Sequence, residues 1–272
     1  MQLHSSDQRT RTACPACGLV QLTAQFDRKS WSDQFAHSKD VRKTFADMMS
    51  ADPRLAFEQM LMCNNCGTLF TDRVPPIEAL GDFYTSHYGD TVHLGKMARK
   101  LALEKRRIFL LKWLMRGRRF LDVGCNIGCA VEAARWNGFT ATGIELNAEA
   151  VKIARNNFPR NQFVESTIDD LTTTQVFDMV YCTEVLEHVP DPKTFIESLG
   201  RALVPGGVLF LSTPDAGHAS VRRKLFSWDS VKPPEHLTLF TKDGMRHALS
   251  PVFTAPRFFP NRKPGIQLIA WR

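Results

Sequence analysis

The chain has 272 residues, 43% of them hydrophobic, and a formal net charge of +7. This length allows one large or two modest domains, and the hydrophobic fraction is sufficient for a sizeable core. The sequence contains no run of about 18 apolar residues, so we expect no transmembrane helix.

The amino-terminal segment, residues 1–18, has no apolar stretch of the kind found in signal peptides, so we expect a cytoplasmic protein. Without a secretory signal, the seven cysteines indicate thiols or metal ligands rather than a disulfide framework. The positive charge is compatible with an anionic substrate or with nucleic acid, and it selects neither.

The first quarter of the chain contains two C-x-x-C pairs, Cys14 with Cys17 and Cys63 with Cys66, and a glycine follows each pair. Two such pairs supply the four thiolates of a tetrahedral structural zinc site. The alternatives are two unrelated reduced pairs or a redox motif, although neither pair opens a helix after a strand as a redox motif would. His37 is a conceivable alternative ligand, but a solvated loop histidine is the simpler interpretation.

The Pro75-Pro76 pair marks a predicted domain boundary. It divides the chain into a zinc-ribbon-like module at residues 1–75 and a larger domain at residues 76–272. Tyr84 and Tyr88 lie four residues apart on a predicted helix after the boundary. They either cover a ligand pocket or pack at the seam between the two domains.

The segment Leu94–Met115 is predicted to form a helix. Its apolar residues recur at helical spacing and should face the core; they are Met97, Leu101, Ile108, Leu111 and Met115. The other side is basic and carries Lys96, Arg99, Lys100, Lys105, Arg106 and Arg107. This side could bind RNA phosphates or an acidic partner. A solvated basic face is the preferred interpretation, because we identify no aromatic residues interleaved for base stacking.

The stretch Phe120–Leu146 carries the main ligand-binding signal. An apolar strand leads into a turn with Gly124 and Gly128, then a helix, then a second strand that ends at Glu145. Glycine lacks a Cβ atom, so the backbone can take positive φ and approach a ligand closely. Glu145, at the carboxyl end of its strand, can accept both hydroxyl groups of a ribose. The G-x-G-x-x-G fingerprint of dinucleotide-binding proteins is not met.

Strands and helices alternate through the rest of the chain, which indicates an α/β fold. The predicted helices are Ala148–Asn156, Thr194–Leu203 and Lys242–Leu249. The predicted strands are Asn161–Val164, Phe177–Cys182, Val208–Ser212, Phe253–Phe258 and Ile266–Trp271. A turn is predicted at Pro205–Gly207, directly before the fifth strand of the sheet.

Four segments together resemble class I S-adenosylmethionine (SAM)-dependent methyltransferases. LDVGCNIG resembles their motif I, GIELN their acidic motif, FDMVYCTEVLEHVPDP their fourth strand and its loop, and LVPGGVLFLSTP the turn into their fifth strand. The resemblance runs from about Leu94 to the C-terminus and implies a Rossmann-like, seven-stranded sheet with helices on both faces, and SAM as methyl donor. Asn126 stands where the family has its middle glycine, and asparagine tolerates the left-handed conformation.

The same resemblance implies a set of SAM-binding positions. They are Asp122, Gly124, Cys125, Gly128, Glu145, Leu146, Thr167, Ile168, Cys182 and Thr183. Thr167 and Ile168 fall where the family often has an aspartate and a small residue, so the backbone or Asp169 could hold the adenine amine. We interpret Cys125, Cys129 and Cys182 as small buried hydrophobic residues rather than nucleophiles.

The segment Asp215–Leu239 is long for a connection, and its P-P-E-H-L sequence resembles the substrate-side loop of small-molecule methyltransferases. We expect it to form a lid over the SAM pocket. Because a hydroxyl acceptor benefits from a general base, His188 and His236 are the catalytic candidates. The competing interpretations are contact with the SAM loop for His188 and a capping role for His236.

The amino-terminal module and the tyrosine-rich helix after it resemble those of bacterial methyltransferases that modify sugars and surface glycans. We therefore expect an enzyme that methylates a small-molecule or glycan acceptor at a hydroxyl, using SAM and a structural Zn²⁺ ion. The alternative is an RNA methyltransferase that holds RNA with the zinc module and the basic helix. A non-catalytic SAM-fold binding module is a third hypothesis, and the intact Asp122, Gly124, Gly128 and Glu145 oppose it.

Overall fold

The computed structural model describes residues 8–87, 95–171 and 174–272. Within these ranges the strands form a seven-stranded sheet, a four-stranded sheet and a two-stranded pair. None of the helices there combines the length and the apolar character that crossing a bilayer requires. Tyr88 and Leu94, which the sequence analysis places in helices, lie outside the described residues.

Strands and helices alternate along most of the chain. The strands are β1 (Arg9–Thr10), β2 (Leu22–Asp27), β3 (Gln59–Cys63), β4 (Leu69–Thr71), β5 (Arg73–Val74), β6 (Arg119–Val123), β7 (Thr140–Glu145), β8 (Gln162–Glu165), β9 (Phe177–Thr183), β10 (Leu203–Pro214), β11 (Thr238–Leu239), β12 (Thr254–Phe258) and β13 (Gly265–Trp271). The α-helices are α1 (Arg28–Asp33), α2 (Val41–Ala51), α3 (Ile77–His87), α4 (Met97–Leu111), α5 (Cys129–Trp136), α6 (Ala148–Asn157), α7 (Pro192–Ala202), α8 (Ala219–Arg222) and α9 (Lys242–Leu249). Short 3-10 turns occupy Pro53–Leu55, Lys112–Leu114 and Leu225–Ser227.

The large sheet has the strand order β12-β13-β10-β9-β6-β7-β8. The strands from β10 to β8 pair in parallel. At the opposite edge, β13 pairs antiparallel with both β10 and β12. The predicted Rossmann-like, seven-stranded sheet is therefore confirmed. Because parallel strands end at one edge of a sheet, the segments that follow β6, β7, β9 and β10 meet there.

Neighbouring residues on the central strands face two different cores, as the alternation of side chains along a strand requires. Phe120 and Tyr181 pack in the core that includes residues of α4, α5 and α6. Leu121 and Val180 pack in the core that includes residues of α7 and α9. The sheet is thus covered by helices on both faces, which fixes its carboxyl edge as the accessible place for a site.

Three helices around this sheet begin at capping residues that can be read from the sequence. The side chain of Asn147 accepts a hydrogen bond from Ala150 N at 3.0 Å, and that of Thr241 accepts one from Gly244 N at 2.9 Å. Asp191 caps α7 in the same way, by accepting from Lys193 N and Thr194 N. Such caps satisfy backbone N–H groups that have no partner inside the helix. The starts of these helices are therefore determined locally.

Two predicted boundaries differ from the structure. The helix predicted at Leu94–Met115 is α-helical from Met97 to Leu111, and Lys112–Leu114 forms a 3-10 turn before an extended Met115. The turn predicted at Pro205–Gly207 is instead an irregularity inside β10, where the register with β9 shifts between Leu203 and Val208. Gly206, at a φ of 75°, allows this irregularity without ending the strand.

The four-stranded sheet has the order β11-β4-β3-β2 and is antiparallel. Its first three strands in sequence come from the amino-terminal module. Its edge strand β11 comes from the segment that follows β10, with Thr238 opposite Phe70 and Leu239 opposite Leu69. The segment Asp215–Leu239 therefore follows a strand of the large sheet in sequence and contributes the edge strand of the four-stranded sheet. The division of the chain into residues 1–75 and 76–272 stays a prediction.

Candidate active site and cysteine cluster

The turn between β6 and α5 has the strained backbone that the sequence predicts. Gly124, Asn126 and Gly128 have φ values of 71°, 49° and 83°. A Cβ atom on Gly124 would lie 2.5 Å from a methyl group of Val185, and one on Gly128 would lie 2.6 Å from the Phe163 ring. Both glycines are thus required by backbone conformation and by close packing.

Glu145 ties this turn to the end of β7. Its Oε2 accepts a hydrogen bond from Asn126 N at 2.9 Å, and its Oε1 accepts from Leu146 N at 2.8 Å and Asn147 N at 3.0 Å. A carboxylate has about four acceptor sites, so it can still accept hydroxyl groups. The Gly124–Gly128 turn and Glu145 therefore lie together at the carboxyl edge, as a nucleoside site requires.

A cavity of about 590 Å³ opens at this edge of the sheet. The residues that border it on the sheet side include Gly124, Asn126, Thr183, Glu184, Glu187 and His188. Those from the segment after β10 are Asp229, Ser230, Lys232, Glu235 and His236. Of the predicted site residues, Gly124, Thr183, His188 and His236 thus border one space.

Other predicted SAM-binding residues lie beneath or beside this cavity. Asp122, Cys125, Cys182 and Ile168 are buried in the core around it. Leu146 is exposed next to Glu145. Thr167 Oγ1 donates to Asp170 Oδ2 at 2.7 Å, which shapes the loop after β8. Asp169, the suggested adenine contact, accepts a hydrogen bond from the Ser198 hydroxyl.

Burial controls the protonation of the acidic and thiol groups near the site. It raises the pKa of the Asp122 carboxyl well above its ordinary value. It also raises the pKa of the Cys125 and Cys182 thiols well above the usual range, and that of Cys129 to about 11. These thiols are therefore protonated at neutral pH, which agrees with their interpretation as buried hydrophobic residues rather than nucleophiles.

His188 and His236 are oriented by backbone carbonyl groups. His188 Nδ1 lies 2.9 Å from Glu235 O, and His236 Nδ1 lies 2.8 Å from Ser230 O. Because a carbonyl oxygen can only accept, each Nδ1 carries a hydrogen and each Nε2 keeps its lone pair. The two rings meet edge to face with centroids 4.7 Å apart. The arrangement presents two Nε2 atoms that can accept a proton.

The electrostatics of this pair keep both imidazoles neutral. Burial lowers the pKa of His188 to about 4 and that of His236 well below its ordinary value. Glu187 beside them accepts from Thr213 Oγ1 at 2.9 Å, and burial raises the pKa of its carboxyl well above the usual range. The ligand atoms of Glu187, His188 and His236 lie within 4.8 Å of one another, a separation that a cation could bridge.

Comparison with known proteins identifies the fold and the family. A family model described as a methyltransferase domain matches residues 94–251, which is more than half of the chain. The chain belongs to the methyltransferase-domain family. It therefore contains a class I SAM-dependent methyltransferase domain, as the sequence predicts. Membership of the family supports SAM as the methyl donor and does not identify the acceptor.

Curated relatives match a shorter region. The ubiquinone biosynthesis O-methyltransferase of Actinobacillus pleuropneumoniae is 40% identical over 107 residues, 36% of this chain and 46% of that protein. The protein of the same name from Klebsiella pneumoniae is 36% identical over 103 residues, 36% of this chain and 43% of that protein. The chain thus spans about half the length of the curated relatives it matches.

Solved structures agree in fold. A SAM-dependent methyltransferase from Archaeoglobus fulgidus superposes with a TM-score of 0.53 at 15% identity and covers 64% of this chain and 94% of its own. A SAM-dependent methyltransferase from Methanosarcina mazei gives a TM-score of 0.51 at 20% identity, with 60% and 96% covered. At these identities the similarity shows the fold alone.

The segment Asp215–Leu239 is held between the methyltransferase domain and the amino-terminal module. On the inner side, Leu237 N and Thr238 N donate to Glu187 O at 2.8 and 3.2 Å. On the outer side, Trp31 Nε1 donates to Val231 O at 3.3 Å, over 200 residues of sequence. The segment that carries His236 is therefore a packed element with contacts on both sides.

Two arginines of the amino-terminal module, Arg11 and Arg42, also bind the segment Asp215–Leu239 through its backbone carbonyl groups. Arg11 Nη1 donates to Leu237 O at 2.9 Å, and Arg42 Nη1 donates to Ser227 O at 3.2 Å. Tyr84 joins in, since its hydroxyl donates to Glu235 O at 3.3 Å and lies 3.2 Å from His188 Nδ1. Tyr84 thus contacts His188 and the segment that carries His236; its covering of a SAM pocket stays a prediction.

Sequence reasoning missed the contribution of α4 to the cavity. Lys100, Glu104 and Arg107 border it, and Arg107 Nη1 lies 3.0 Å from Glu104 Oε1 and 2.7 Å from Tyr181 Oη. The available signal was Glu104, the single acidic residue in a basic helix and spaced three residues before Arg107. A lone acid on a basic helix indicates an inward-facing ion pair.

The four cysteines of the amino-terminal module form one cluster. Cys14 Sγ lies 3.6 Å from Cys66 Sγ, Cys17 Sγ lies 3.5 Å from Cys63 Sγ, and all four sulfurs lie within 4.8 Å of one another. Zinc–sulfur bonds of about 2.3 Å imply sulfur–sulfur separations of about 3.8 Å, so this donor set fits a tetrahedral ion. His37 is exposed and is not a member of the cluster.

The two cysteine turns have the same backbone geometry. Gly18 N donates to Cys14 O and Gly67 N donates to Cys63 O, both at 2.9 Å. Gly18 and Gly67 have φ values of 75° and 70°. The glycine after each pair is therefore required by a left-handed turn that brings two sulfurs to one side.

Proposed function

We propose that this protein transfers the methyl group of SAM to a hydroxyl of a small-molecule acceptor, such as a phenol, a sugar or a sugar nucleotide. The observation that carries the proposal is the neutral His236 imidazole, whose Nδ1 is fixed by a carbonyl and whose ring borders the cavity. The names of the partial relatives, which are O-methyltransferases, favour oxygen as the accepting atom. The sugar or glycan class rests on the resemblance of the amino-terminal module.

For the donor side, we propose that SAM lies along the Gly124–Gly128 turn with its ribose at Glu145. The support is that this left-handed turn and Glu145 lie together at the carboxyl edge of the sheet, joined by the hydrogen bond from Asn126 N to Glu145 Oε2. Gly124 and Thr183 border the cavity and would face the methionine part, whereas the loop of Thr167 and Ile168 would contact the adenine. Asp122 and Cys182 would act by packing beneath the site.

On the acceptor side, SAM when bound supplies a methyl group already activated by the sulfonium charge. With SAM bound, His236 would accept the hydroxyl proton at Nε2 while the oxygen bonds to the methyl carbon, the bond from that carbon to sulfur breaks, and S-adenosylhomocysteine leaves as a thioether. Lys100, Arg107 and Lys232 border the cavity, but Arg107 and Lys232 are ion-paired with Glu104 and Glu235, so the lining carries charges of both signs. Enclosure between the sheet and the segment Asp215–Leu239 would exclude water and align the reactants, which supplies most of the rate.

The acceptor class can be tested with SAM carrying a labelled methyl group. We expect label in small hydroxylated compounds, tested as panels of phenols, sugars and sugar nucleotides, and none in RNA. Transfer to RNA alone, with activity that falls steeply as salt rises, would reject the proposal in favour of the RNA methyltransferase. The cavity volume of about 590 Å³ favours the small acceptor.

We also propose that Cys14, Cys17, Cys63 and Cys66 hold one structural Zn²⁺ ion. The support is the close set of four sulfurs on two matching turns, with Cys14, Cys63 and Cys66 buried and Cys17 half-buried. Four thiolates leave no open coordination position, so the ion would stabilise the module and take no direct part in methyl transfer.

Replacement of Glu145 by alanine is expected to weaken SAM binding by about 10- to 150-fold. The reason is the loss of charge-assisted hydrogen bonds to the ribose, worth roughly 1.5–3 kcal/mol, together with the loss of the bond to Asn126 N. Calorimetric titration with SAM measures the change. Glu149→Ala, which removes an exposed glutamate of α6, should bind SAM normally. Equal affinity in wild type and Glu145→Ala would remove Glu145 from the site.

A further inference from the structure

A row of large apolar side chains lies exposed on the outside of α4 and the 3-10 turn after it. Leu103, Phe109, Leu110 and Trp113 are 56%, 49%, 64% and 72% exposed, and Trp136 of α5 is 63% exposed beside them. These five residues are called the outer helix face below. Single exposed apolar residues are common, but a contiguous group of this size marks an interaction surface.

The spacing and the contacts show that the outer helix face is continuous. Leu103, Leu110 and Trp113 follow one another at intervals of seven and three residues, so they lie on one side of the helix. Lys105 Nζ lies 3.9 Å from the centre of the Trp136 ring. Lys112 Nζ lies 4.4 Å from the ring of Phe109 and 5.1 Å from that of Trp113. Basic and aromatic side chains therefore form one strip.

The charge on this strip has one sign. Apart from Lys100 and Arg107, which border the cavity, residues 97–118 contain six basic side chains and one acid, Glu104. The six are Arg99, Lys105, Arg106, Lys112, Arg116 and Arg118. Glu104 is 5% exposed and bonds inward to Arg107 and Tyr181. The acid therefore does not offset the positive charge outside. The sequence-based view that this basic helix lacks interleaved aromatic residues is wrong, because Phe109 and Trp113 are exposed on it and Trp136 lies alongside.

We propose that the outer helix face docks on a lipid bilayer with anionic headgroups. Trp, Phe and Leu side chains on one side of a helix enter the boundary between headgroups and acyl chains, and flanking Lys and Arg meet the lipid phosphates. Lys105 and Lys112 hold their ammonium groups over aromatic rings of this face, so cationic and aromatic groups meet at one place on it.

Two other occupants fit the same face less well. Single-stranded RNA would stack on the aromatic rings, but base stacking and phosphate contacts would not bury the exposed aliphatic side chains of Leu103 and Leu110. A second copy of the chain in a two-fold contact would bring Arg99 and Arg106 against the same basic face of its partner. Aliphatic, aromatic and cationic groups in one strip match a bilayer surface that is apolar inside and anionic outside.

Helix α4 separates the proposed bilayer contact from the cavity. The inner side of the same helix contributes Lys100, Glu104 and Arg107 to the cavity. A bilayer at the outer helix face would therefore lie beside the wall of the cavity. The docking inference itself does not depend on the acceptor proposed above, because it rests on the opposite side of α4.

The test is flotation of the full chain with vesicles. We expect the protein to float with phosphatidylcholine vesicles that contain phosphatidylglycerol. With pure phosphatidylcholine vesicles, or in high salt, we expect it to remain in the bottom fraction. The variant Phe109→Ser/Leu110→Ser/Trp113→Ser is expected to lose about tenfold or more in vesicle affinity. Its control, Val20→Ser/Ile77→Ser, removes residues that are each 66% exposed elsewhere and should bind vesicles as wild type does.

A second readout covers the case in which the triple variant is unstable. Trp113→Phe should keep vesicle binding but lose part of the blue shift of tryptophan fluorescence that binding produces. Absence of binding to the anionic vesicles, equal flotation of the triple variant, or an unchanged fluorescence shift in Trp113→Phe would each overturn the proposal. So would a dimer that the triple variant abolishes, or RNA binding that depends on these residues.

Discussion

The His236→Ala variant is expected to turn over roughly 10²- to 10⁴-fold more slowly than wild type, with SAM affinity unchanged. The reason is positional. Its Nδ1 is held by Ser230 O at 2.8 Å, so its Nε2 is the atom left to take the acceptor proton. His236 comes from the segment after β10, whereas the proposed SAM contacts come from β6, β7 and β9. Steady-state kinetics and calorimetry separate the two effects.

The result distinguishes a base from a residue that positions the acceptor. If His236 only positions the acceptor, its KM should rise while kcat changes little. His247→Ala provides a control, because His247 is exposed on α9 and should be kinetically silent. Near-normal kcat and KM in His236→Ala would reject the role. Attention would then move to His188, the other imidazole whose Nε2 is free of a carbonyl contact, and its variant should show the turnover defect.

The Cys63→Ser/Cys66→Ser double variant is expected to lose its metal and to unfold in the amino-terminal module. Structural zinc in small domains contributes apparent binding free energies of about 10–16 kcal/mol, which far exceed the net stability of a module of this size. Wild type purified without chelator should contain one zinc per chain. Metal analysis and thermal unfolding measure both effects. Zinc-free wild type, or full zinc occupancy in the double variant, would exclude the four-thiolate assignment.

Loss of zinc should also lower turnover, although the ion lies outside the cavity. The turn at Cys63–Cys66 leads directly into β4, and β4 pairs with β11, which begins two residues after His236. Disorder at the cluster would therefore release the segment that holds His236, while the Gly124–Gly128 turn and SAM affinity stay intact. Cys129→Ala is the matched control, since Cys129 is a buried cysteine of α5 and its loss should leave the zinc content unchanged.

The sequence by itself determined the parts of this protein that depend on local chemistry. The alternation of apolar strands and helices indicated the α/β fold, and the resemblance of four segments to class I methyltransferases implied its seven-stranded sheet. Gly124, Asn126 and Gly128 specified the left-handed turn, because only residues tolerant of positive φ fit it. The two C-x-x-C pairs, each followed by a glycine, likewise specified two matching turns. For each of these turns the decisive residues lie within a few positions of one another.

The tertiary structure alone decided which distant segments meet. The pairing of β11 with β4 could not be predicted, because a two-residue strand has no periodic pattern and its register depends on the partner. The bonds from Trp31 to Val231 and from Tyr84 to Glu235 join residues 200 and 151 positions apart. These contacts set the direction of His236 and place it against His188.

Exposure was the other property that only packing could decide. In the sequence, the helical spacing predicts a core side that includes Ile108 and Leu111, and it leaves Phe109 and Trp113 unassigned. In the structure, Ile108 and Leu111 fill the core, and the neighbouring Phe109 and Leu110 are turned outward. When a helix has more apolar surface than one core can cover, some apolar side chains must stay exposed. The elements packed against the helix determine which side chains these are.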